Sequence, residues 1–207
     1  MKPTYLLAFV LLFNLGCSPK TFNLKWTKET APENYITRFE TSKGNFEIAV
    51  ERKLSPKAAD RFYQLIKHRF FDNSLFYRVN PGFVAQFGGN DSIAYQKWNS
   101  VKVPDEMVLQ GNMKGSLSFA RGGKETRTTD LFINLGDNSR LDTIHYNDVT
   151  GFPSFGRVTQ GMEVVEKLYA GYSDSTMADF ETMLTDRVEF LRKYPELDVI
   201  EKAYLVD

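Results

Sequence analysis

The groups able to do chemistry are concentrated in one stretch. Phe76-Tyr77-Arg78-Val79-Asn80-Pro81-Gly82-Phe83-Val84-Ala85-Gln86-Phe87-Gly88-Gly89-Asn90 sets a guanidinium and a carboxamide among aromatic rings. A guanidinium is always charged and presents a rigid fork of donors. Aromatic walls supply the apolar surface against which such a donor acts most strongly. Taken singly, Arg78 reads as a surface charge and each ring as core packing; only the pattern is informative. Elsewhere reactive side chains are sparse. The chain has two His, His68 and His145, and one Cys, Cys17. That is too few for a structural zinc site of Cys and His and excludes a disulfide within the chain. Gly88-Gly89 lacks the Lys-Ser/Thr partner of a phosphate loop. His145 lies near Asp142 and Ser139, but no nucleophile turn accompanies them, so a hydrolase triad is not expected. No metal or cofactor is expected.

Those residues must be held by something, and 207 residues allow one domain with short extensions. Seventeen Phe and ten Tyr suggest a core or pocket with aromatic walls. Lys plus Arg equals Asp plus Glu, 26 against 26. Removing residues 1–16 takes away only Lys2 and leaves a charge of −1, from 25 basic and 26 acidic residues. Such a balance gives no field to draw nucleic acid or an anionic membrane.

The first residues read as a targeting segment. Lys2 gives a positive start, and Tyr5 to Phe13 is an unbroken apolar run, too short for a spanning helix. Asn14-Leu15-Gly16-Cys17 follows, and the small Gly16 before the single Cys resembles a bacterial lipoprotein cleavage box, with Asn14 where an aliphatic residue is usual. The expectation is a signal peptide over 1–16, a lipid on Cys17 as sole membrane anchor, and a tether over 17–34. The protein is then placed in the bacterial cell envelope, facing the periplasm or exterior. The domain is expected over 35–207.

Within it, Tyr35–Glu40 and Phe46–Val50 predict a hairpin, the second run alternating apolar and polar. Ser55-Pro56 opens a helix, with Ser as cap and Pro in the first turn. Ala59, Phe62, Ile66 and Phe70 make its buried stripe. Residues 75–91 show no helical period. Short strands are predicted over 113–121, 130–135 and 155–159, and a short helix around Met162, Val165 and Tyr169. One longer helix is predicted over 175–194, its face carrying Met177, Phe180, Leu184, Val188, Leu191 and Tyr194, stopped by Pro195. A last strand is predicted over 199–206. Many short strands with few helices suggest an antiparallel barrel or sandwich flanked by helices.

The stretch from Phe76 to Asn90 resembles the cyclophilin signature, Phe-x-Arg-hydrophobic-x-x-Gly-Phe-hydrophobic-x-Gln followed by a Gly pair, with Phe87 as one extra residue. Gly115-Ser116-Leu117-Ser118-Phe119-Ala120, Thr128-Thr129-Asp130-Leu131-Phe132-Ile133, Leu141-Asp142 and Phe155-Gly156-Arg157-Val158 resemble further family segments in the same order. The resemblance covers about residues 36–170. It implies a mainly β fold, a closed eight-stranded antiparallel barrel capped by helices. The implied activity is peptidyl-prolyl cis–trans isomerisation of envelope proteins, by a monomer without cofactor that binds proline-containing segments.

That chemistry breaks no covalent bond. The peptide bond resists rotation by ~18–20 kcal/mol, and X-Pro bonds exchange slowly between accessible isomers. A slot for the proline ring and a donor favouring the twisted amide suffice. The resemblance implies Arg78 as the donor. It implies Phe83, Phe119, Phe132 and Leu141 as the slot, Gln86 as a backbone contact, Phe76 beside Arg78, and Ala120, Asp130 and Phe152 as further substrate contacts. Phe152 stands near a usual His, Arg140 at a position that is Trp in cyclosporin-binding members, Arg121 at a usual Asn and Asp130 at a usual Gln. Asp130 is expected to pair with Arg78 and compete with substrate, which leaves a proline-segment binding module with little catalysis as the alternative, and a structural lipoprotein scaffold as a third. Thr143–Gly151 is expected to lengthen the loop at the rim of the slot.

Overall fold

A computed structural model describes residues 22–90 and 93–206. Cys17 and the segment 1–16 lie outside the described residues. The first hairpin forms as its alternation requires: β1 (Asn34–Thr41) pairs in register with β2 (Gly44–Glu51), setting Phe39 opposite Phe46 with rings stacked at 4.8 Å. α1 (Pro56–Lys67) begins at the expected Pro. Its cap is not the expected Ser55: Glu106 of a distant loop accepts from the Lys57 and Ala58 amides at 2.8 and 3.2 Å, and Ser55 donates to the same carboxylate. A carboxylate there meets both the orphan amides and the positive end of the helix.

β3 (Ser74–Val79) and β4 (Val84–Phe87) follow, joined by a tight turn in which Pro81 precedes Gly82 at φ +73°, the order a type II turn needs. Then come α2 (Ile93–Asn99), β5 (Ser116–Phe119), β6 (Leu131–Asn134), α3 (Arg140–Thr143), the two-residue β7 (His145–Tyr146) and β8 (Val149–Thr150), β9 (Ser154–Gln160), α4 (Met162–Glu166), α5 (Phe180–Thr185), α6 (Arg187–Lys193) and β10 (Val199–Val206). The expected barrel forms. Eight strands close in the order β1-β10-β3-β4-β6-β5-β9-β2, every pairing antiparallel. Its interior is aromatic: Phe39, Phe46, Phe62, Phe71, Phe76, Phe87, Phe119 and Phe155 are essentially inaccessible. Phe62 of α1 meets Phe39, Phe71 and Phe155 there.

Two expectations are corrected. The tether does not extend to residue 34, since residues 22–33 are packed on the domain. Leu24–Lys28 make a 3-10 turn, Trp26 stacks on His68 at 3.9 Å, and Gln64 Nε2 donates to the Glu29 carbonyl at 2.6 Å. Pro19, Pro32 and the lysines hid a small aromatic anchor. The long helix over 175–194 is broken into a 3-10 turn (Ser175–Asp179), α5 and α6. Asp186 leaves helical geometry (φ −147°, ψ 84°) and accepts from the Glu189 amide at 3.0 Å, capping α6. The break rotates the following turn. Val188, expected on the buried face, is 81% exposed, and Phe190 takes its place beside Leu75, Tyr77, Met183, Tyr194 and Leu197.

Candidate active site

The site is on the outer face of β3, β4, β6 and β5, and backbone geometry selects which side chains reach it. In β4, Ala85 and Phe87 point into the barrel, so Val84 and Gln86 point out. In β6, Leu131 and Ile133 are inward and Phe132 outward, and Asp130, directly before the strand, also lines the outer cavity. In β5, Leu117 and Phe119 are inward, which sends Ala120, directly after the strand, outward. β3 carries a register shift between Phe76 and Arg78. Without it the two would share a face; the bulge leaves Phe76 inside and turns Arg78 out beside its cross-strand partner Gln86.

These outward residues line a cavity of about 510 Å³. At one end are Phe83, Val84, Phe132, Leu141 and Phe152, with Ala120 between them. The Phe132 and Phe152 rings meet edge to face at 5.9 Å. At the other end are Tyr77, Asn99, Met177 and Phe180. Arg78 lies over Phe83, its guanidinium carbon 5.5 Å from the ring centroid, with Arg140 at 4.8 Å from the same ring. Arg121 covers Phe152 at 4.9 Å. The apolar end is thus rimmed by three guanidinia, each within cation–π range.

Of the expected contacts, Arg78, Phe83, Gln86, Ala120, Asp130, Phe132, Leu141 and Phe152 are brought together. Phe76 and Phe119 are not. Both are barrel interior, Phe76 against Phe46 and Phe87 and Phe119 stacked on Phe155 at 5.6 Å. For Phe119 the alternation Leu117-Ser118-Phe119-Ala120 already carried the signal; for Phe76 it was hidden by the bulge.

The expected pairing of Asp130 with Arg78 is also corrected. Among the described residues, the ion pair of Arg78 is with Asp174, Nε to Oδ1 at 2.6 Å, and its Nη1 donates to Gln86 Oε1 at 3.2 Å. Asn80 Nδ2 donates to the same Asp174 oxygen at 2.9 Å, and Ser173 donates to Asn80 Oδ1. The Asn80 hydrogen bond and then Arg78 hold the Asp174 carboxyl below its usual range. Asp130 instead accepts from the Tyr77 hydroxyl at 2.8 Å and from Thr129 Oγ1 at 3.4 Å. Burial pushes its carboxyl up to about 6, against these hydrogen bonds and one from the Gly89 amide. The Tyr77 phenol is raised in turn, by burial first and by the Asp130 charge second.

The rim is built by buried amides. Asn112 donates from Nδ2 to Asp142 and to the Phe152 carbonyl, both at 2.7 Å, and accepts from Ser118 and Asn134. This fixes Leu141 and Phe152, whose backbones are joined directly at 2.9 Å. The loop between them folds into the β7–β8 hairpin. His145 there bonds Thr150 and is exposed, while Asp142 is turned to Asn112, so no triad forms. The Gly pair has a steric reason. A Cβ on Gly88 would lie 2.2 Å from the Thr129 carbonyl oxygen, and one on Gly89 would meet Met183 at 2.7 Å and Phe180 at 3.3 Å. Sequence reasoning missed Tyr77, Asp174, Met177 and Phe180; only for Tyr77, inside the signature, was there a local signal.

A closed eight-stranded barrel with an apolar slot on its outer face, rimmed by three guanidinia of which Arg78 has a Gln beside it, defines a class of barrels with an external apolar cleft. The comparisons with known proteins agree. The family model described as cyclophilin type peptidyl-prolyl cis-trans isomerase/CLD matches residues 36–188. The chain is 37% identical over 131 residues to peptidyl-prolyl cis-trans isomerase A of Dickeya dadantii, covering 62% of this chain and 67% of that one. It is 31% identical over 137 residues to a peptidyl-prolyl cis-trans isomerase of Acinetobacter baylyi, covering 65% and 72%. Its fold matches the crystal structure of a Cryptosporidium parvum cyclophilin type peptidyl-prolyl cis-trans isomerase at a TM-score of 0.61, with 18% identity, over 84% of this chain and 98% of that one. The chain belongs to the cyclophilin-type peptidyl-prolyl cis-trans isomerase family.

Proposed function

We propose that the chain accelerates rotation about X-Pro bonds of extracytoplasmic proteins, from a position on a membrane to which Cys17 is attached through lipid. The observation that carries the catalytic part is Arg78 held at the edge of the Phe83–Phe132–Leu141 slot. The slot takes the prolyl ring. As the amide twists, its nitrogen lone pair is no longer delocalised and becomes a better acceptor, which a fixed guanidinium stabilises more than it stabilises the planar ground state. Gln86 and Asp174 occupy two of the guanidinium donors and leave the others for substrate. One charged hydrogen bond contributes about 1.5–3 kcal/mol, about 10- to 150-fold in rate. Positioning and exclusion of water by the slot supply the remainder. A related Cryptosporidium parvum structure was determined in the presence of the dipeptide Ala-Pro, which supports a prolyl ligand.

An isomerisation assay on a proline peptide, with Arg78→Ala beside wild type, tests the catalytic reading; equal rates at the uncatalysed level in both would remove it. For the anchor, radiolabelled palmitate is expected in the membrane fraction of wild type and absent from Cys17→Ser. Incorporation unchanged by that substitution sinks the lipid assignment without touching the catalytic one. A binding module with little catalysis is the second reading, and the Arg78–Asp174 ion pair is what favours it.

A further inference from the structure

Asp130 is the acid in the cavity that catalysis does not use. It directly precedes β6 and faces outward like Phe132; residues two apart on a strand share a face and lie about 6.6 Å apart. The Ala120 amide donates to the Asp130 carbonyl at 2.9 Å, so the extended geometry of β5 and β6 continues through this position. An extended peptide has the same repeat. With its prolyl ring on Phe132, the side chain two residues away on that face falls at Asp130.

Every cation at the apolar end is turned elsewhere: Arg78 to Asp174, Arg121 to Asp105 at 2.9 Å, and Arg140 to the Phe83 ring. Among the described residues no Lys or Arg pairs with Asp130, whose hydrogen bonds come from Tyr77, Thr129 and the Gly89 amide. Tyr77, Phe180 and Met177 line the same cavity, and its neutral polar groups include Asn99, Thr128 and Gln86. A mainly apolar lining around a single carboxylate suits a side chain with an aliphatic stem and a cationic head. Burial without a counter-charge also raises the Asp130 carboxyl, as an unmet need for a cation would.

We infer that Asp130 is a specificity-determining residue that receives a Lys or Arg side chain two residues from the proline of the bound peptide. This rests on the prolyl-slot reading. The test uses two peptide pairs, carrying Lys or norleucine either two residues before or two residues after a single proline. Affinity is read by fluorescence anisotropy and isomerisation by NMR exchange. In one register the Lys peptide is expected to bind about tenfold tighter than norleucine, the scale of one charge-assisted hydrogen bond. The gap should narrow with added salt. It should fall to within about twofold in Asp130→Asn and persist in Asp130→Glu, which separates loss of charge from loss of fold.

Equal affinities for Lys and norleucine in both registers, no binding of any peptide, or the same Lys preference in Asp130→Asn overturns the assignment. Catalysis of norleucine peptides without a Lys advantage sinks the role of Asp130 alone. Rates at the uncatalysed level for every peptide sink the isomerase reading, whatever the affinities.

Discussion

The two ends of the cavity are built by different means. The slot end rests on barrel strands whose side chains alternate in and out and whose rim is pinned by Asn112, Asn134 and Asn138, all nearly inaccessible. The far end is closed by residues 172–197, a 3-10 turn and two short helices that share a small core with Leu75 and Tyr77 of β3. Phe180 meets Tyr77 edge to face at 5.2 Å, and Asp174 reaches Arg78. The first end holds the Arg78 guanidinium beside the apolar slot; the second carries the carboxylate that pairs with it. A short signature can therefore place the slot residues while a segment over ninety residues downstream sets the surroundings of its central Arg.

Breaking the slot end should have the larger effect on rate. Arg78→Ala is expected to lower kcat/KM by about 10- to 150-fold. Its melting temperature should stay near that of wild type, because the side chain is partly exposed and its ion-pair partner Asp174 is 62% exposed. Breaking the far end should show first in stability. Phe190→Ala removes a fully buried ring from the small core and should cost about 3–5 kcal/mol, read by denaturant unfolding. Proteolysis within 172–197 should be enhanced before any cleavage in the barrel strands; uniform susceptibility would deny that the two ends are separable units.

The junction between the ends should respond to pH. The Asp130 carboxyl is held at about 6 in the folded chain against an ordinary 3.8. The stabilisation from its protonated form is present below the unfolded value and is lost as pH rises through about 6. The loss between pH 4 and 7 should be on the order of 2–3 kcal/mol. Tyr77 and Tyr95 face it with phenols raised by burial, so neither titrates in that window. Asp130→Asn should flatten the wild-type decline, measured by thermal unfolding across that range, and an unchanged slope would show that the carboxyl is solvated.

The smallest effect is expected at Asp174. Asp174→Ala frees the Arg78 Nε and should lower kcat/KM by at most about fivefold, the worth of an exposed ion pair at ~0.2–1 kcal/mol. A rise instead would show that the pair competes with substrate and that the far end restrains the slot end.

The contrast also separates what could be read early from what could not. Arg78, Phe83, Gln86 and Phe132 were legible because a short pattern on paired strands places them by local geometry. The hairpin of β1 and β2, the start of α1 and the final strand were legible from period and turn chemistry. Local residue types determined those parts, since alternation, proline and glycine act over a few bonds. The inward turn of Phe76 against the outward turn of Arg78 was decided by a bulge that has no composition of its own. The pairing of Arg78 with Asp174 rather than Asp130 and the capping of α1 by Glu106 depend on contacts between residues far apart in the chain, as does the seat that Phe190 finds against Leu75 and Tyr77 once Asp186 has broken the helix. Such contacts exist only once the barrel has closed, so the tertiary structure alone decided them.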